Sequence, residues 1–170
     1  MAYDVSFELR SFNVEDKAKL LHYLYTAKVK ISESTLRYCL GGCYLPQDGE
    51  AVDVSEKAFN LLKKKKPKWI KGDKVIPSGS LSVDGLIVEH SVPIKVLHDH
   101  IEGLLAKGKF DIKILNKLLC KYCKVALITS AENKRLNKRY KSSMPEKWSF
   151  KSGKVYARYA ECEIKMHKQK

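Results

Sequence analysis

The chain has no apolar run approaching the roughly 18 residues of a membrane-spanning helix. Its first residues, Met-Ala-Tyr-Asp-Val, lack the basic start and apolar stretch of a secretory leader. Glycine (9) and proline (5) are few and scattered, which excludes collagen-like and low-complexity chains. Five cysteines are an odd and modest number, a poor match to a secreted disulfide scaffold. Acid is also short: 19 Asp and Glu stand against 33 Lys and Arg, a formal net charge of +14 on 170 residues. What is present is 44% hydrophobic residues, too many for a disordered polycation and enough, at this length, to bury a core. The expectation is a folded, soluble intracellular protein, cytoplasmic, or nuclear if the source is eukaryotic. Its expected partner is a polyanion. Lys and Arg that neutralise phosphates release condensed counterions, which points to nucleic acid. Solubility alone is the plain alternative for the charge. No long amphipathic basic helix argues for a membrane surface.

Residues 1–75 read as a helical N-terminal region that supports the fold and binds DNA. Asn13 suits an N-cap for a helix with Val14, Ala18, Leu21 and Leu24 on one stripe. Ser32 can cap a second helix through Leu36 and Leu40, ending at Gly41-Gly42. Ser55 opens a third with Phe59 and Leu62, which runs into Lys63-Lys64-Lys65-Lys66 and is stopped by Pro67. Residues 72–82, with Gly72, Pro77, Ser78, Gly79 and Ser80, are the best boundary candidate.

Residues 76–147 change pattern. Leu86-Ile87-Val88 is a short β-branched run that delivers Glu89 and His90 at its end. Pro93 suits the first turn of a helix carrying Ile94, Leu97, Ile101, Leu104 and Leu105. Asp111 can cap another through Ile114, Leu115, Leu118 and Leu119. Val125 to Thr129 is a second strand, and Thr129-x-x-Glu132 is a capping box opening a helix through Tyr140. On that helix Asn133, Leu136, Asn137 and Tyr140 share one face, and Lys134, Arg135, Lys138, Arg139 and Lys141 cover the rest. An amide-lined inner face under a cationic outer one makes sense if the inner face meets a metal and the outer face meets phosphates. Residues 148–170 form a tail whose aromatics, Trp148, Phe150, Tyr156 and Tyr159, are expected to pack back on the core.

Val-Glu-His-Ser-Val-Pro at 88–93 and Ala-Leu-Ile-Thr-Ser-Ala-Glu-Asn-Lys-Arg-Leu-Asn-Lys at 126–138 together resemble the HNH, or ββα-metal, nuclease superfamily. The first stretch is similar to the acidic-His-x-x-Pro signature that ends the family's first strand. The second is similar to its second strand and ligand-bearing helix, with spacing like that in the HNH domain of RNA-guided CRISPR effectors. The Met-Pro at 144–145 also fits, and the resemblance covers about residues 83–145. It implies an α+β fold: a small ββα-metal core of strand, helical insertion, strand and helix, beside the helical N-terminal region. It implies a metal-dependent DNA endonuclease of a size suited to a phage, restriction or homing-type enzyme. Glu89 and Asn133 would ligate Mg²⁺ or Mn²⁺, with Asn137 the second choice, since Mg²⁺ takes hard oxygen donors and keeps several waters. His90 would be the general base, leaving 5′-phosphate and 3′-hydroxyl ends. One site per chain would nick, and a homodimer or two visits would cut both strands. The pattern departs from the family before the second strand, where a His-orienting Asn is usual: Cys120-Lys121-Tyr122-Cys123-Lys124 has none, and Asn116 is the nearest.

Cys39-x₃-Cys43 and Cys120-x₂-Cys123 have the spacing of two halves of a structural zinc site; small buried thiols are the alternative. Lys63 to Lys66, Lys68, Lys71 and Lys74 form a cationic run that is a solvated face or a phosphate-contacting patch, with Lys64 and Lys65 as its leading DNA contacts. Trp69 within it either stacks on a base or anchors the run to the core. His98 and His100 read as surface or packing residues. The runner-up function is a non-catalytic basic nucleic-acid-binding protein in which Glu89, His90 and Asn133 are structural.

Overall fold

The structure, a computed structural model, describes residues 13–27, 32–42, 49–78 and 81–169. It is α+β. Helices α1 (Val14–Thr26) and α2 (Glu33–Gly42) come first, then a short strand β1 (Asp53–Val54) and helix α3 (Glu56–Lys65). A 3₁₀ turn at Pro67–Trp69 leads into a hairpin of β2 (Ile70–Lys71) and β3 (Lys74–Val75). Then follow β4 (Leu86–His90), α4 (Ile94–Ala106), α5 (Ile112–Tyr122), β5 (Val125–Thr129), α6 (Ser130–Tyr140) and the short α7 (Ala157–Glu161). The helix starts rest on caps legible in the sequence. Asn13, Ser55 and Asp111 accept from the backbone N–H three residues on, and Thr129 with Glu132 closes a complete capping box.

A three-stranded sheet in the order β1-β5-β4 forms the middle layer. β4 and β5 are antiparallel with an unbroken register from Leu86↔Thr129 to His90↔Val125, and β1 runs parallel to β5. Alternation sends successive side chains to opposite faces, and each face is covered. On one, Val54, Leu86, Val125 and Leu127 join a large cluster with residues of α1 to α5, including Leu21, Leu40, Leu62, Leu97 and Leu115. On the other, Ala126 and Ile128 pack with Leu136 of α6, Tyr159 of α7, Cys162 and Ile164. The second cluster is smaller and lies on the sheet face that carries Glu89.

β1 lies inside the stretch expected to be helical, yet it is a member of this central sheet. The stretch 72–82 begins as the β2–β3 hairpin turn, with Gly72 at φ 64°, a left-handed value that favours glycine. Residues 79 and 80, also part of that boundary reading, lie outside the described residues. Beyond α7 the chain runs back along β1: Glu56 N–H donates to Lys165 O, His167 N–H to Val54 O, and the Gln169 side-chain amide to Val52 O. Tyr159 is fully buried, and Phe150 packs edge-on to Tyr122 and Trp148. The tail aromatics therefore do pack on the core. Among the described residues no helix is long and apolar enough to cross a membrane.

Candidate metal and nucleic-acid site

β4 and β5 deliver the site, and α6 lies across them. Glu89 pairs with Ala126 and stands on the α6 side of the sheet, where Ile87, Ala126 and Ile128 also point. Leu136 is buried at the centre of the inner face of α6, with Asn133, Asn137 and Tyr140 half-buried around it. Lys134, Arg135, Lys138, Arg139 and Lys141 are all exposed. The division expected from the sequence, amides inward and cations outward, is what the helix has. The Asn137 amide donates to Asn133 Oδ1 at 3.2 Å, so the two asparagines act as a pair along the helix.

Glu89 is not an open carboxylate. Its Oε1 accepts from the Arg158 guanidinium at 2.5 Å, and the Arg158 side chain is fully buried. His90 departs from expectation too. A bend between Glu89 and His90 would let both serve one centre, but the ladder continues through His90↔Val125 without a bulge. Alternation therefore sets the imidazole on the face opposite Glu89. Burial, and then the Arg158 charge, push the His90 pKa down to about 4. The ring is neutral at pH 7, the state a base requires, but weakly basic.

The segment before β5 holds no Asn to orient His90, and Asn116, the nearest, lies on α5 and accepts from Cys120 Sγ at 3.7 Å. The end of β4 is joined to that segment by Ser91. Fully buried, Ser91 donates its backbone N–H and its hydroxyl to Lys124 O at 2.8 and 2.9 Å, tying the end of β4 to the residue before β5. Tyr159 adds to this, its hydroxyl donating to Glu89 O and His90 O at 3.2 and 3.3 Å. Ser91, Arg158 and Tyr159 are the site residues that sequence reasoning missed. Ser91 stands inside the quoted motif, but nothing local separates Arg158 from the other cations of so basic a chain.

Asp53 also escaped notice. It pairs with Ala126 from the other side, so Asp53 and Glu89 flank one small residue on the same sheet face. It accepts a hydrogen bond from the hydroxyl of the half-buried Tyr156. On this side of the sheet the oxygens of the kind a divalent ion takes are the second carboxylate oxygens of Glu89 and Asp53 and the amide oxygens of Asn133, which already accepts from Asn137, and Asn137. This oxygen-only set is of the kind a hard cation takes, with most of its shell left to water.

The thiols divide. Cys43 lies outside the described residues. Cys39 is buried, and burial holds its thiol above the ordinary range. Cys123 is half-buried at the end of α5. Cys120 is exposed. Among the described residues no three His, Cys, Asp or Glu side chains gather as a metal-binding group. Tyr25 is instead hydrogen-bonded to the buried His98, at 2.7 Å from Nδ1. His100 stacks on Phe150 at 3.9 Å, so both histidines of α4 are packing residues.

Trp69 is 4% exposed and belongs to the core, which removes it as a base-stacking platform. Lys66 lies over its ring at 5.6 Å, and Lys63 over Phe59 at 4.8 Å. Lys65 is committed to Asp84 at 2.8 Å. Lys63, Lys64, Lys68, Lys71 and Lys74 are exposed. On α6, Arg139 reaches Glu161, and with Arg135 and Lys138 it lines a cleft of about 410 Å³ against α7. Comparison with protein-family models, curated proteins and solved structures finds no match to any part of the chain.

Proposed function

We propose that the chain is a metal-dependent endonuclease of the HNH type, hydrolysing DNA phosphodiesters to 5′-phosphate and 3′-hydroxyl ends. One observation carries the reading: an antiparallel β4–β5 pair under a helix that turns two amides inward, on the face bearing Glu89, and five exposed cations outward. Glu89 and Asn133 would hold the divalent ion, with Asn137 bonded to Asn133 and next in line. A bound Mg²⁺ or Mn²⁺ would supply charge stabilisation at the phosphorus and the leaving oxygen. The chain's own share is orientation and proton transfer. Lys134, Arg135 and Lys138 face outward to take backbone phosphates, which position the duplex without reading it. His90, neutral at pH 7, would accept the proton of the attacking water, a role that its place on the sheet face opposite Glu89 weighs against. The structural-zinc role of Cys39, Cys43, Cys120 and Cys123 remains part of this proposal.

A non-catalytic nucleic-acid-binding protein is the second reading. It is favoured by the Arg158–Glu89 ion pair and by the placement of His90 on the far side of an unbroken ladder. Plasmid incubated with Mg²⁺ or Mn²⁺ separates the two. Cleavage by the wild type that His90→Ala abolishes, with gel retardation kept, supports the enzyme. Retardation without cleavage under any divalent ion supports the binder. Asn133→Ala should inactivate without unfolding; retained activity would move the ligand role to Asn137.

A further inference from the structure

The two elements that carry the site meet at a single side chain from outside both of them. Arg158 of α7 is 0% exposed. Its Nε donates to Ser91 O at 3.1 Å and its Nη1 to Tyr140 O at 2.8 Å; its Nη2 donates to Glu89 Oε1 at 2.5 Å and to His90 O. Three of these acceptors belong to the end of β4 or the residue after it, and the fourth is the last residue of α6. We propose that Arg158 is the positioning residue of this site. It fixes the Glu89 carboxylate and the β4 end in register with the ligand-bearing helix, so that the C-terminal segment completes the site.

The chemistry of the group supports more than a filler role. A guanidinium is planar, keeps its proton in proteins and presents five N–H donors in fixed directions. That geometry can serve acceptors from two elements at once, which a lysine ammonium of similar length cannot reproduce. Burying the charge is costly, and an apolar side chain of like volume could join two elements as stably. Here the charge sits on the carboxylate oriented toward α6 and on a carbonyl at the C-terminal end of α6, the negative end of its dipole. Tyr159, the next residue, holds two of the same β4 positions through its hydroxyl.

This inference rests on the hydrolase reading, and Arg158→Lys tests it with two readouts. Mn²⁺ affinity is measured by calorimetry without DNA, and plasmid nicking is resolved into kcat and KM. Outer-shell partners of a metal ligand typically change affinity or activity by about 10- to 100-fold. The expected result is a loss of that size in Mn²⁺ affinity and in kcat, with KM for plasmid unchanged. Leu115→Ala, which opens the core on the far face of the sheet, serves as a comparison of lowered stability and should keep both. If Arg158→Lys does not fold, Tyr159→Phe is read the same way, with a smaller loss expected. Wild-type affinity and kcat in the folded Lys variant, or an equal loss in Leu115→Ala, would overturn the role of Arg158 alone. A wild type that neither binds Mn²⁺ nor cleaves would bring down the hydrolase reading and this inference with it.

Discussion

Single residues here tend to serve two elements at once, and Ser55 and Glu132 are the clearest pair. Ser55 caps α3 by accepting from Ala58 N–H at 3.1 Å, and its hydroxyl proton goes to Glu132 Oε2 at 2.7 Å. That same oxygen accepts from the Thr129 N–H and hydroxyl at the start of α6. Two helix starts on opposite faces of the sheet are therefore locked through one buried carboxylate. Removing a cap costs about 1 kcal/mol, and leaving a buried acceptor short of a donor adds about 1–3 kcal/mol. Ser55→Ala should lower the unfolding free energy by about 2–4 kcal/mol in urea titration. Its cost and that of Glu132→Ala should be non-additive by at least about 0.5 kcal/mol; strict additivity would show that the two caps are independent. The capping box was legible from Thr129-x-x-Glu132, whereas its tie to Ser55 spans the sheet and leaves no local trace.

His90 gives a residue-scale prediction for acid stability. Its ordinary pKa is near 6.5, and burial and Arg158 lower it to about 4 in the fold. Between those values the unfolded chain holds a proton that the folded chain does not. Stability therefore rises with pH across the window and is lost as pH falls from about 6.5 toward 4. Melting temperatures of wild type and His90→Asn should diverge at pH 7 and converge in slope below pH 4, the variant showing the flatter curve between. Parallel curves would place the imidazole in solvent rather than in the site.

At the level of elements, what the sequence disclosed depended on whether a local rule generated the element. α1, α3, α5 and α6 each begin at a side-chain cap, and β4 and β5 are apolar runs bounded by turn or cap residues. β1 has two residues and exists because β5 offers a free edge, so no periodicity marks it. The β2–β3 hairpin did carry a signal, Gly72-Asp73 between Trp69-Ile70 and Val75-Ile76, a two-residue turn masked by the lysines around it. The loop before α7 is a comparable case. Trp148 Nε1 donates to Lys154 O at 2.9 Å, closing the chain over Gly153. A Cβ at Gly153 would overlap the indole and stand 2.5 Å from Ser149 O. Gly153→Ala should cost about 1–3 kcal/mol, as overpacked sites do. It should also lift Trp148 from its edge contacts with Tyr122 and Phe150. Tryptophan fluorescence reports this as a red shift, since Trp69 stays in the core. An unshifted spectrum would mean that the loop closes without the glycine.

Across the whole molecule, the positive charge is divided by the sheet. α6 and its cations lie on one face; α3, whose last turn begins the lysine run, packs on the other through Ala58, Phe59 and Leu62. One side of a duplex that engages α6 is not automatically in reach of Lys63, Lys64 and Lys68. The two sets are therefore expected to contribute separately to binding. Each phosphate contact adds about 0.9 to the slope of log affinity against log salt on duplex DNA. Replacing Lys134, Arg135 and Lys138 by Gln should lower that slope by about 2–3 and weaken binding and cleavage together. Replacing Lys63, Lys64 and Lys68 should lower the slope by a similar amount on long duplexes and by less on short ones, with kcat at saturating DNA unchanged. Lys65 is left in place because it is bound to Asp84. Fluorescence anisotropy over a salt series, on duplexes of two lengths, measures both. If the second set leaves the slope unaltered at every length, those lysines are a solvated face and take no part in the proposed binding.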